Sequence, residues 1–60
     1  MGMNLRSLRE EQKISLRKFG LMTGVDYHYI SLIEYGEANP TIDTLEKLAD
    51  GLGTDVHSLL

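Results

Sequence analysis

There is no cysteine among the 60 residues. Disulfides are thereby excluded, and cysteine-based zinc sites with them. Small domains often depend on such staples, because a chain of this length buries only about 60% of its unfolded surface. Stability must then come from efficient helix packing, helped by association with a second copy. No apolar run approaches the ~20 residues that a membrane-spanning helix requires. The stretch from Met1 to Lys13 is polar and charged and lacks the apolar centre of a secretory signal. Met1-Gly2 begins like a myristoylation site, but Arg6 stands where Ser or Thr is needed. The expected setting is the cytoplasm. Metal ligands are sparse too: His28 and His57 fall on different predicted helices, without H-x-x-x-H spacing. Nothing forms a nucleophile–base–orienter set. Gly51-Leu52-Gly53 is a fragment of a phosphate-loop pattern and reads better as a helix ending. These residues predict no enzyme, no metal and no cofactor.

Basic residues are also in short supply, six against nine acidic, for a net charge of −3. That sum argues mildly against a nucleic-acid partner. The distribution qualifies it. Residues 1–30 hold five basic side chains against three acidic, a net of +2. Residues 31–60 hold Lys47 alone against six acidic side chains, a net of −5. One end of the molecule is thus suited to phosphates and the other to water.

What is present is punctuation for five short helices, with no linker, repeat or strand-like alternation. Leu5 and Leu8 stand three apart on a first helix, roughly Asn4 to Gln12. Ser15 is a good N-cap for a second, Leu16 to Thr23, and Gly24 supplies its left-handed stop. Asp26 caps a third, Tyr27 to Tyr35, ended by Gly36. Pro40 forbids any continuation through the loop that follows. Thr41 caps a fourth, Ile42 to Leu52, in which Ile42, Leu45, Leu48, Ala49 and Leu52 keep the helical period. Gly53 stops it, and Asp55 opens a last turn, Val56 to Leu60. Two helices of about eight residues joined across Thr23-Gly24-Val25-Asp26 have helix-turn-helix spacing. Gly20, lacking a side chain, allows close approach of the third helix to the second, and Val25 plugs the angle between them.

Leu8-Arg9-Glu10-Glu11, Ile14-Ser15, Thr23-Gly24-Val25, Ile30-Ser31, Ile33-Glu34, Gly36, Asn39-Pro40-Thr41 and Thr44-Leu45 recur in an order and spacing that resemble the lambda-repressor-like, Cro/C1 (XRE-type) helix-turn-helix domains. The likeness covers about Asn4 to Leu60, and the end, Thr54 to Leu60, is similar to the family's fifth helix. It implies a single all-α, five-helix domain over residues 1–60, with the helix-turn-helix at about 15–36. It also implies that the third helix lies in the major groove of DNA. Three departures stand out. Leu16 replaces a Gln that in the family bridges a phosphate and the recognition helix. The third helix carries Tyr27-His28-Tyr29, Leu32 and Tyr35 in place of Gln, Arg, Ser and Thr. Glu37 takes a position that is often basic.

The resemblance puts Tyr27, His28 and Leu32 at base edges. Tyrosine hydroxyls bond bases or phosphates, and Leu32 suits a thymine methyl. Tyr29 belongs to the rim of the core. Phosphate contacts are expected from helix N-termini and adjacent loops, at Ser15, Asn39 and Thr41, with Arg17, Lys18 and Tyr35 beside them. Simple capping, or packing of Tyr35 on the fourth helix, is the plain alternative. The resemblance further implies a partly buried ion pair between Arg9 and Glu34. The expected function is a sequence-specific regulator of transcription, a repressor, that binds double-stranded DNA as a homodimer on an inverted repeat. Val56, Leu59 and Leu60 cannot all turn into so small a core, so the dimer contact is expected through this last helix, with some of them in it. The rival is a protein-interaction module with weak DNA binding, such as a toxin-binding antitoxin or an oligomerisation partner. The apolar Leu16, Tyr27, Leu32 and Tyr35 and the acidic balance speak for it.

Overall fold

A computed structural model describes residues 4–60; Met1-Gly2, with the myristoylation-like start, lies outside them. Five helices follow one another: α1 Leu5–Glu11, α2 Leu16–Thr23, α3 Tyr27–Glu34, α4 Ile42–Leu52 and α5 Val56–Leu59. No strand forms among the described residues. Each boundary has a local cause. The Ser15 hydroxyl accepts the Lys18 amide, Asp26 accepts that of His28, Thr41 that of Thr44 and Asp55 that of Ser58. Each bond satisfies one donor that an N-terminal helical turn leaves open. At the other ends the chain turns left-handed. Beyond α3, Tyr35 is the cap and Gly36 takes φ 77°. There the Glu37 amide reaches the Leu32 carbonyl at 2.8 Å, and the Gly36 amide reaches that of Ile33 at 3.0 Å. This is a Schellman closure.

The end of α1 closes in the same way, with an unexpected residue. Lys13 donates to the Glu10 carbonyl at 2.9 Å and Ile14 to that of Arg9 at 3.1 Å. Lys13 takes φ 59°, the region that Gly24, Gly36 and Gly53 occupy elsewhere. Nothing about a lysine announces that conformation. The start of α1 also differs from the pattern: Asn4 makes no side-chain cap. Its amide nitrogen donates instead to the Leu59 carbonyl at 3.1 Å, and its side chain to the Ser58 carbonyl at 3.3 Å.

The core draws on every helix: Leu5, Phe19, Ile30, Ile33, Leu45, Leu48, Ala49, Leu52 and Leu59 are buried. α2 packs on both α3 and α4, and α4 on α5. Glycine sets two close approaches. At Gly20 a Cβ would lie 3.0 Å from the Val25 carbonyl oxygen and 3.1 Å from Tyr27 Cβ. At Gly51, inside α4, it would lie 2.6 Å from Thr23 Cγ2 and 3.0 Å from a ring carbon of Phe19. The Gln12 amide ties α1 to the end of α4 through the Leu52 carbonyl at 2.8 Å.

Two expectations for apolar residues are corrected. Ile42 keeps the period of α4 but is 64% exposed, because it opens the helix beyond the edge of the core. Leu59 is fully buried, so its side chain is not free for a partner. Docking of Asn4 onto the end of α5 closes the ring from α1 to α5 and makes room for it.

Candidate nucleic-acid interface

The helix-turn-helix is built at one hydroxyl and one bare α-carbon. Thr23 Oγ1 donates back to the Phe19 carbonyl at 2.8 Å and accepts the Val25 amide at 3.2 Å, holding the turn as α2 ends. Gly24 then reverses the chain at φ 75°. Val25 packs against the core as expected, and Asp26 starts α3.

Within α3, Ile30 and Ile33 point inward. His28, Leu32 and Tyr35 follow at spacings of four and three on an exposed flank, with Leu32 43% and Tyr35 67% exposed. Tyr27, half-buried at the first turn, stacks on His28 with ring centroids 4.4 Å apart. The Arg17 guanidinium, from α2, stands over the Tyr27 ring at 5.6 Å. The structure thus brings Arg17, Tyr27 and His28 into contact. It also separates Tyr35 from the packing role suggested for it: Tyr35 lies under Arg6 of α1, 5.9 Å from the guanidinium carbon, and is mostly exposed. Tyr29 packs against the core, its hydroxyl donating to the Asn39 carbonyl at 3.5 Å.

The residues proposed for phosphate contact are exposed: Ser15, Arg17, Lys18, Tyr35, Asn39 and Thr41. Ser15 and Thr41 are engaged as caps, each holding one first-turn amide and leaving the role of an anion-facing helix start open to the others. Leu16 packs against the core, which explains an apolar residue where the resemblance leads one to expect a polar one.

Glu34 would otherwise repel DNA from the end of α3. It is instead neutralised. Arg9 Nε donates to Glu34 Oε2 at 2.8 Å and a second guanidinium nitrogen to Oε1 at 3.1 Å. The third nitrogen donates to the Ile14 carbonyl at 2.8 Å. Both side chains are nearly buried, 11% and 5% exposed. The hydrogen bond to Glu34 holds the guanidinium above its ordinary value, against burial. Among the described residues no group of three His, Asp or Glu is placed to hold a metal, and no helix is long and apolar enough to cross a membrane.

Five helices, with the second and third joined by a three-residue turn and an exposed flank on the third, define the helix-turn-helix class of domain. The helix-turn-helix family model matches residues 5–59. The chain belongs to that family, in its lambda-repressor-like, Cro/C1 type. It is 38% identical over 56 residues to the HTH-type transcriptional regulator DdrOP3 of Deinococcus deserti, covering 93% of this chain and 43% of that protein. It is 36% identical to the uncharacterized HTH-type transcriptional regulator y4dJ of Sinorhizobium fredii, covering 88% and 69%. The chain spans less than half of DdrOP3 and about a third of a similar solved regulator from Vibrio cholerae, of which it covers 32% at 38% identity and a TM-score of 0.88. A crystal structure of SinR, a master regulator for biofilm formation, in complex with DNA is similar over the whole of both chains, at 36% identity and a TM-score of 0.91. The restriction-modification controller protein C.AhdI of Aeromonas hydrophila matches over 98% of this chain and 89% of its own, at 29% identity and a TM-score of 0.93.

Proposed function

We propose that this chain is the sequence-reading domain of a transcription regulator, a repressor, and that it docks α3 in the major groove of double-stranded DNA. The observation that carries this reading is the edge formed by half-buried Tyr27 with exposed His28 and Leu32 on the third helix of a helix-turn-helix. The full-length likeness to a solved relative in complex with DNA supports it. Tyr27, His28 and Leu32 meet base edges. Ser15, Arg17, Lys18, Tyr35, Asn39 and Thr41 line the backbone contacts. The protein works in the compartment that holds the DNA. It binds as a homodimer on two half-sites about one helical turn apart. With Leu59 in the core, the contact falls to Leu60, 65% exposed, and the outer part of Val56.

A second reading, a protein-interaction module, draws on exposed apolar side chains, chiefly Leu21, in the groove beside Tyr27, and Ile42. Enrichment of duplexes from a random library separates the two. The DNA reader enriches a defined, two-fold symmetric sequence; the interaction module enriches none. On the enriched duplex, Tyr27→Ala and His28→Ala should each reduce discrimination against scrambled DNA by about 1–3 kcal/mol. Equal losses on both duplexes would mean that these side chains meet only the backbone.

A further inference from the structure

Arg17 precedes Gly20 by one helical turn, so the two share a face of α2. Gly20 is where α3 approaches that face closely, its absent Cβ leaving room for Tyr27 Cβ at 3.1 Å. The approach brings the Tyr27 ring beneath the Arg17 guanidinium, 5.6 Å from its centroid. Tyr27 stacks in turn on His28, with planes 26° apart. Three side chains therefore form one stack, running from α2 onto the opening turn of α3. A groove of about 440 Å³, lined by Arg17, Gly20, Leu21, Val25 and Tyr27 among others, opens beside it. Half-buried Tyr27 thus has a guanidinium and an imidazole against its ring.

We propose that Arg17 is a positioning residue for base recognition: its contact with Tyr27 holds that ring, and through it His28, in the orientation presented to DNA. The proposal rests on the DNA-reading function above. A guanidinium over an aromatic face is attracted by the ring quadrupole. Side chains already ordered in the free protein lose less freedom on docking. Neighbouring Leu16 is committed to the core and has no polar group for such a bridge. A positioning role also makes a distinctive demand. Loosening Tyr27 and His28 harms binding to a specific sequence more than to random DNA, because backbone contacts carry no sequence information.

The probes are the duplex that the wild-type protein enriches from a random library and a scrambled duplex of equal length and composition. Affinities for both are measured for wild type, Arg17→Gln, Tyr27→Leu and the double variant, with thermal melts to verify folding. Arg17→Gln should lower the specific-to-scrambled ratio by about two- to fivefold, as expected for an exposed cation–π contact. The double variant should lose no more discrimination than Tyr27→Leu alone. In the free protein, Arg17→Gln should shift the ring resonances of both Tyr27 and His28. Equal losses on both duplexes, with a shallower salt dependence, would assign Arg17 to phosphate alone and overturn the proposal. So would additive losses of discrimination in the double variant. If wild type enriches no sequence, the DNA-reading function itself fails, and this inference fails with it.

Discussion

α3 and α4 begin alike, with a side-chain oxygen accepting a first-turn amide, and both end on a left-handed glycine. They differ in what they do with apolar residues. α4 buries Leu45, Leu48, Ala49 and Leu52 and presents Asp43, Glu46, Lys47 and Asp50 to water. α3 buries only Ile30 and Ile33 and leaves His28 and Leu32 on the outside, with Tyr27 half-covered. Its far end is held by an ion pair as well as by Ile33. In so small a domain, apolar side chains left outside along α3, where α4 leaves out only the Ile42 that opens it, suit a surface kept for a partner. On the proposed reading α4 serves stability alone, and α3 serves recognition as well.

The sharpest way to break that contrast is to truncate one leucine on each helix. Leu48→Ala, at a fully buried site, should cost about 2–5 kcal/mol. In a domain with so little core, that approaches the whole stability. Leu32→Ala should change stability by no more than about 0.5 kcal/mol while weakening binding to the selected duplex. Urea denaturation and binding titrations check the pair; similar stability losses in both would erase the distinction between the helices.

The next largest effect lies at the end of α3. Arg9→Ala strands the Glu34 carboxylate in a nearly closed site and removes the donor to the Ile14 carbonyl. The expected loss is about 3 kcal/mol, near the low end for breaking a buried pair. Glu34→Gln, which keeps an acceptor for the guanidinium, should lose less. If both variants melt like wild type, the pair does not anchor α3.

A smaller, opposite effect is expected at the end of α1, where Lys13 does what Gly53 does for α4. Lys13→Gly should raise stability by about 0.5–1 kcal/mol, since relief of the left-handed strain exceeds the entropy a glycine costs. Gly53→Lys should do the reverse. No change in either melting curve would mean that φ 59° costs the lysine nothing.

The smallest effect concerns α5. The Ser58 amide and then the Ser58 hydroxyl hold the Asp55 carboxyl below the usual carboxylate range. A depressed folded-state value contributes stability above the unfolded value, about 3.9, and loses it as pH falls through the folded value. Wild type should therefore weaken slightly more than Asp55→Asn as acid is added below about pH 4. Parallel stability curves for the two proteins would show that the cap does not titrate with folding.

Most boundaries were legible along the chain because caps and stops are local. Ser15, Asp26, Thr41 and Asp55 start the helices they were expected to start, and Gly24, Gly36 and Gly53 turn left-handed where stops were read. The Arg9–Glu34 contact was legible only through resemblance, since 25 residues separate the partners. Leu59 was misplaced because counting apolar residues says nothing about the room that closure of α1 on α5 creates. Ile42 was misplaced because periodicity gives a face and not how far the core extends along it. For Tyr35, spacing gave no means of choosing between α4 and the Arg6 it meets.

The sequence by itself determined the number, order and type of helices and most of the apolar face of α4, through interactions that reach four residues or fewer. It also showed Gly20 as the place where α3 approaches α2, but not what Gly51 stands against. Tertiary structure alone decided which apolar residue fills the last space in the core and how the carboxylate at the end of α3 is neutralised. It also decided that an arginine on α2 lies over a tyrosine on α3. Those outcomes depend on the distance between helices, which is set by the sum of all side-chain volumes at once and is carried by no local run of residues.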